Sequence, residues 1–297
     1  MIALTVPLVG AGGEPISFRM TVGSHGLAGL PPAHVADDYS AYTYRVRLSG
    51  RVRTLRFTSE NDELIVSADK ALNARDRATA EAMSRRIFHL DANLAPFYAM
   101  VAADADLTWV ARGAGRFLAS PTAFDDVIRT ICTTNCAWSA TERMIEALVE
   151  LGEGAFPDAE TLAKTPERWF VNRAKMGYRG AYIRSIAKSV ARGDVDMDSF
   201  LPAMGRNDDD VEEALRELPG VGPYAAAHIM QLLGYHRRLI LDSWTRPKYL
   251  ELSGKGRAKD STIEKQFSRY KEFAGLAFWL YVTRTWHESQ GNLVQSS

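Results

Sequence analysis

The stretch Leu218-Pro219-Gly220-Val221-Gly222-Pro223-Tyr224 constrains its surroundings more than any other part of the chain. Two glycines bracketing one valine permit a tight turn with positive φ, and they leave no side chain between the backbone N–H groups and an approaching anion. The pattern is helical from Val211 to Glu217 and again from Tyr224 to Leu233, so residues 211–233 are predicted as helix, hairpin, helix. The second helix would aim its N-terminal dipole and unpaired N–H groups at an anion. Sixteen residues after Tyr224 comes Ile240-Leu241-Asp242-Ser243-Trp244, a lone acidic residue among apolar ones. Taken singly, the hairpin reads equally as an ordinary helix connection and Asp242 as the N-cap of a helix starting at Ser243.

A chain of 297 residues with 46% hydrophobic content can bury one large core or two modest ones, so two or three sub-domains are expected. No apolar run approaches the roughly 18–20 residues of a membrane helix, and the N-terminus lacks a basic stretch followed by an apolar segment and a cleavage site. A cytoplasmic, membrane-free protein is expected. Thirty-six basic residues balance thirty-six acidic ones, which argues against indiscriminate coating of nucleic acid. The charges are nonetheless uneven. Arg173 to Arg192 holds six basic residues and no acidic one, whereas Asp208-Asp209-Asp210 with Glu212-Glu213 suits the first turn of the helix before the hairpin. The two cysteines, Cys132 and Cys136, are spaced to share one face of a helix.

The first seventy residues read as strands. Tyr44, Val46 and Leu48 alternate with Arg45 and Arg47, Ser49-Gly50 makes a two-residue turn, and Arg51 to Leu55 continues the alternation. A further strand is predicted over 62–67, and 71–76 is the predicted link to a helical part. Helices are predicted at 78–89, 95–102, 106–112, 122–132, 137–151, 159–164, 166–171, 178–191, 208–217, 224–233, 243–250 and 261–287. The last seven residues are expected to fray. The predicted class is α+β: an antiparallel sheet domain at 1–75, then a two-lobed helical body at 76–297 containing the 211–233 unit and an aspartate loop at 234–244.

Leu-Pro-Gly-Val-Gly, an alanine-rich helix and then Asp242 resemble the helix-hairpin-helix superfamily of DNA glycosylases. Ile131-Cys132-Thr133-Thr134-Asn135 and Met176-Gly177-Tyr178-Arg179-Gly180-Ala181-Tyr182-Ile183 resemble, in the same order, strand-separating segments of its 8-oxoguanine branch. The sheet-then-helices plan matches that branch and the bacterial 3-methyladenine glycosylase II branch. Together the resemblance covers roughly residues 80 to 290.

The resemblance implies an enzyme of base excision repair that turns a damaged purine, alkylated or oxidised, out of double-stranded DNA and hydrolyses its N-glycosidic bond. It implies a monomer acting near the nucleoid. Asp242 would be catalytic. Gly220, Val221, Gly222 and Tyr224 would grip the backbone, Asn135 would fill the vacated space, Tyr178 would wedge beside it, and Arg179 would hold the opposite strand. The structural alternatives are a helix cap for Asn135 and a core aromatic for Tyr178. Tyr224 stands where strand-cleaving members carry the imine-forming lysine, and Lys248 lies about 600° around a helix from Asp242; a single-activity enzyme follows. Its rivals are a bifunctional 8-oxoguanine glycosylase/lyase and a DNA-binding module without activity.

No cofactor is required by this resemblance. Two cysteines cannot supply the four-cysteine iron–sulfur cluster of the endonuclease III branch. Backbone carbonyls of Arg216, Leu218 and Val221 would hold a monovalent cation, Na⁺ or K⁺. The base pocket would draw on Trp138, His228, Trp244 and Phe278, with Trp279 and Tyr281 as further aromatic candidates. His228 stands where the 8-oxoguanine branch stacks a cysteine on the base, Phe278 where a glutamine reads its edge, and Ala140 where an arginine is expected. These departures weaken an 8-oxoguanine assignment, and rings favour cationic alkylated purines.

Overall fold

The computed structural model describes residues 1–294. Strands β1 (Ile2–Pro7), β2 (Ala33–Val35), β3 (Tyr42–Leu48), β4 (Arg51–Glu60) and β5 (Glu63–Ala68) form one sheet in the order β1-β5-β4-β3-β2, antiparallel throughout. A short helix, α1 (Phe18–Val22), lies between β1 and β2. Alternation along β3 sets the inner face: Tyr42, Tyr44, Val46 and Leu48 are buried while Arg45 and Arg47 face out. Ser49 and Gly50 both have positive φ (44° and 75°), as a two-residue hairpin of this twist requires. Asn61 and Asp62 (51° and 60°) repeat the device before β5. The strand expected from residue 62 therefore begins at Glu63, because the turn uses Asp62.

The helical part comprises α2 (Ala74–Ile87), α3 (Ala95–Val101), α4 (Ala123–Thr133), α5 (Trp138–Leu151), α6 (Ala159–Lys164), α7 (Glu167–Asn172), α8 (Tyr178–Arg192), α9 (Asp208–Arg216), α10 (Pro223–Leu233), α11 (Thr245–Ser253), α12 (Asp260–Phe267) and α13 (Ala274–Val294). Side chains of Asn73, Thr122, Asp158 and Asn207 cap α2, α4, α6 and α9, each accepting an N–H three residues on. Left-handed Gly193, Gly234 and Gly254 end α8, α10 and α11.

Besides α2, which starts at Ala74 inside the expected link because Asn73 caps it, three expectations change. Residues expected as a helix at 106–112 form a 3-10 turn, Thr108–Arg112. The long helix expected at 261–287 is α12, a 3-10 turn and α13, because Lys271 adopts φ 52°, ψ −122° and interrupts the hydrogen-bond ladder. Cys136 lies beyond the end of α4, so it shares no helix face with Cys132; its thiol instead reaches the Cys132 carbonyl at 3.3 Å. Of the seven residues expected to fray, α13 includes the first four and 295–297 lie outside the described residues.

Apolar side chains gather into three cores. The sheet packs on Ala80 and Ile87 of α2 and on Phe88 just beyond it, so this helix shares the sheet's core. A first helical lobe is built from α4, α5, α8 and α9, and a second from α3 and α11 to α13. Helix α10 serves both: Ala225, Ile229 and Met230 enter the first core, Ala227 and Leu232 the second. Every residue from Ala225 to Leu233 is buried, the mark of a helix packed on all sides. The hairpin at its N-terminus therefore opens at the seam between the lobes. No helix among the described residues is long and apolar enough to cross a membrane.

Candidate active site and nucleic-acid interface

The hairpin closes with the Val221 N–H donating to the Leu218 carbonyl at 3.1 Å, and Gly220 sits at φ 85°. Proline second and a positive-φ glycine third is the pattern of a type II turn. A Cβ on Gly220 would lie 2.6 Å from the ring of Tyr182, so α8 packs directly on the turn. Gly222 differs. Its φ is −86°, within reach of any residue, and a Cβ there would meet nothing within 4 Å. Positive φ is thus confined to Gly220, while Gly222 keeps open the approach to the first turn of α10. That turn has no side-chain cap, and its N–H groups at Tyr224 and Ala225 have no helical acceptor.

The first lobe supplies one wall of the seam. Asn135 is exposed in a left-handed turn (φ 48°), and its amide approaches the Tyr178 hydroxyl at 3.5 Å. It caps no helix, since α5 begins at Trp138 after Ala137. Tyr178 opens α8 and packs edge-on against Tyr182, with ring centroids 5.6 Å apart. It is no core aromatic. Among the described residues three aromatic side chains are exposed: Tyr178 (51%), Trp138 (45%) and Trp244 (39%). All three belong to the set singled out from the sequence. Exposed rings clustered at one seam signal a binding surface more strongly than scattered ones.

Arg179 requires a correction. Its side chain is buried and donates through Nε to the Thr134 carbonyl at 2.9 Å and through a terminal nitrogen to the carbonyls of Thr134 and Asn135. The guanidinium braces the turn that presents Asn135 and does not extend toward a second strand. Three of its basic neighbours are also engaged: Arg173 pairs with Glu150, Arg184 donates to the Thr165 carbonyl, and Arg192 pairs with Asp194.

The second lobe supplies the opposite wall. Oδ1 of Asp242 accepts the N–H groups of Trp244 (2.8 Å) and Thr245 (2.6 Å), and the Thr245 hydroxyl accepts the Asp242 N–H at 2.9 Å. The carboxylate therefore pins the turn that leads into α11, which begins at Thr245, two residues later than expected, with Trp244 at its N-cap position. One oxygen fixes the carboxylate. Among the described residues, no protein donor occupies Oδ2. The half-buried carboxylate lies within electrostatic reach of Tyr224 and His228. Burial raises the Tyr224 phenol above its ordinary range.

Rings line this wall in an unbroken series. Trp244 lies 4.9 Å from Trp286 and 6.0 Å from Trp279, and Trp279 lies 5.3 Å from Phe117. Phe117 stacks on His25 at 5.4 Å, and His228 sits 6.1 Å from both His25 and Tyr224. Phe278 stands outside this series, which is a second correction. It is fully buried against Phe267 and Tyr249, and the buried Tyr281 packs there too. One residue along a helix rotates the side chain by about 100°, so Trp279 and Trp286, seven apart, share the face toward Trp244. Phe117 and His25 had no local signal in the sequence. Trp138 leans on the same segment, its ring 3.4 Å from where a Cβ on Gly26 would be.

No protein-family model matches the chain, and no curated protein matches its sequence. Solved structures do match. The 3-methyladenine DNA-glycosylase of Archaeoglobus fulgidus superposes with a TM-score of 0.72 at 16% identity, covering 96% of this chain and 99% of that one. The chain has the DNA glycosylase fold. The Clostridium acetobutylicum 8-oxoguanine glycosylase/lyase in its apo form follows at 0.69 and 16% identity, covering 91% of this chain and 94% of that one. The same Clostridium enzyme bound to double-stranded DNA with cytosine opposite 8-oxoguanine gives 0.67 at 16% identity, covering 92% and 93%. Near-complete coverage in both directions means that sheet, both lobes and hairpin all belong to the glycosylase fold. Among its neighbours that one architecture serves two different bases.

Proposed function

We propose that this protein is a monofunctional DNA glycosylase that everts a damaged purine from duplex DNA and hydrolyses its N-glycosidic bond. The observation carrying this reading is the carboxylate of Asp242, immobilised through one oxygen and free at the other, at the seam where the hairpin of α10 opens. As the base departs, positive charge builds on the sugar, and a fixed anion beside it stabilises that state and orients a water. Unit charges about 4 Å apart at an effective dielectric of about 20 interact by roughly 4 kcal/mol, equivalent to about a thousandfold in rate.

The other parts follow from position. The open N–H groups beyond Gly222 take a phosphate, while Tyr178 and Asn135 enter the duplex where the nucleotide leaves. Arg216, Leu218 and Val221 fit a monovalent cation through their carbonyls, which would draw the hairpin N–H groups outward. Strand cleavage would need an amine. Tyr224 has none, and Lys248 is engaged with Glu251 at 2.8 Å. The test is base release from methylated and from oxidised duplexes by wild type and Asp242→Asn. The variant is expected to bind DNA normally and to release base about a thousandfold more slowly. Wild-type rates in the variant would end the reading, and covalent trapping on DNA by borohydride would replace it with the glycosylase/lyase.

A further inference from the structure

Asp242 rides on a segment without regular structure, residues 234–244 between α10 and α11. A carboxylate that must meet a transition state cannot depend on a loose loop, since misplacement by about 1 Å can cost about a hundredfold in rate. The segment is held from inside by Gln231, a fully buried side chain of α10. Its Nε2 donates to the Arg238 carbonyl at 3.4 Å, which turns Oε1 toward His236 Nδ1 at 3.1 Å. A carbonyl only accepts, so the amide orientation is decided and Nδ1 carries the proton. From the other side the His236 carbonyl accepts the Leu276 N–H at 3.0 Å, and a Cβ on Gly275 would lie 2.0 Å from the Arg238 carbonyl. The backbone at Arg238 is thereby wedged between α10 and α13.

Its side chain crosses to α9. The guanidinium pairs with Asp209, and its Nε lies 2.6 Å from Glu212 Oε2. Arg237 reaches Asp209 as well, at 3.0 Å, and is the more exposed of the two (44% against 31%). The acidic run on α9 thus does more than favour the dipole of that helix, because it also receives the aspartate loop. α9 ends at Arg216, just before the hairpin that begins at Leu218. We infer that Arg238 is a positioning residue for Asp242, clamping the loop that carries the carboxylate to the helix that leads into the hairpin and so fixing the spacing between the two. This rests on the reading of Asp242 as the carboxylate that acts on the glycosidic bond. The chain from Arg238 to Asp242 spans at most about 14 Å even when extended, and Ile240 midway is buried with its carbonyl accepting the Thr245 hydroxyl at 2.8 Å. A shift at the clamp has little slack in which to be lost.

The test measures base release in single turnover with duplex saturating, beside duplex affinity and hydrogen exchange at the N–H groups of Asp242, Trp244 and Thr245. In Arg238→Met, release should slow about tenfold and those three amides should exchange about tenfold faster, with affinity within about twofold of wild type. Half-exposed ion pairs contribute little to stability, so its melting temperature should stay within about 3 °C. Arg238→Lys should recover release to within about threefold of wild type, and Arg237→Met, which leaves Arg238 with both carboxylates, should stay within about twofold. Adding Arg238→Met to the double variant Asp209→Asn with Glu212→Gln should slow release no further than that double variant alone, because the clamp is already open. Unchanged exchange in Arg238→Met would overturn the inference, as would normal release in that variant or an equal loss in Arg237→Met. Should wild type release no base, or Asp242→Asn release it unimpaired, the proposed reaction is lost and exchange alone decides whether the clamp exists.

Discussion

The two walls of the seam are built in opposite ways. On the first lobe, Asn135 and Tyr178 project into solvent from backbone turns in the left-handed region, at Asn135, Lys175 and Gly177. On the second, Asp242 is fixed by its own helix terminus, and the rings beside it are mostly buried. The contrast matches the tasks assigned to each. A surface that enters a duplex must be free of the protein core, and a charge that stabilises a transition state must already be in place when the reaction occurs. Side chains of the first wall should therefore affect DNA engagement with little effect on folding, while those of the second should affect rate or base choice.

Substitutions can break this division. The largest expected effect is that of Asp242→Asn, about 4 kcal/mol on the barrier to base release, read as single-turnover rate with DNA saturating. Next is Gly220→Ala. A left-handed alanine costs about 1–2 kcal/mol, and its Cβ would press on the Tyr182 ring, so denaturant titration should show a loss of about 2–3 kcal/mol together with weakened DNA binding. Arg179→Met comes third, at about 1.5–3 kcal/mol of stability from lost charged hydrogen bonds; unchanged stability would return Arg179 to the DNA surface. Smallest are Tyr178→Ala and Gly222→Ala, each within about 0.5 kcal/mol of wild-type stability, with base release or duplex affinity lowered about tenfold, roughly 1.4 kcal/mol. A large stability loss in either would mean that the first wall belongs to the core.

Much of this was legible in local sequence. The β3–β4 hairpin follows from alternation plus Ser49-Gly50, because it depends on neighbours within a few residues. The hairpin glycines, Asp242 and the rings of Tyr178, Trp138 and Trp244 are equally visible in the sequence. Failures came where a role depends on a distant partner. Arg179 reads as a DNA contact until the carbonyls of Thr134 and Asn135 claim it, and Phe278 reads as a pocket residue until helix rotation turns Trp279 toward Trp244 instead. Lys271 breaks α12 from α13 with no glycine or proline to announce it.

By itself, then, the sequence determined the kinds of element, their order and the chemical groups available at the hairpin and the aspartate, since propensity, capping and alternation act over a few residues. Which of those groups face the seam, and the recruitment of His25 and Phe117 beside His228, were decided only by tertiary packing. Burial and ring contacts are properties of segments brought together from opposite ends of the chain, and no local pattern encodes them.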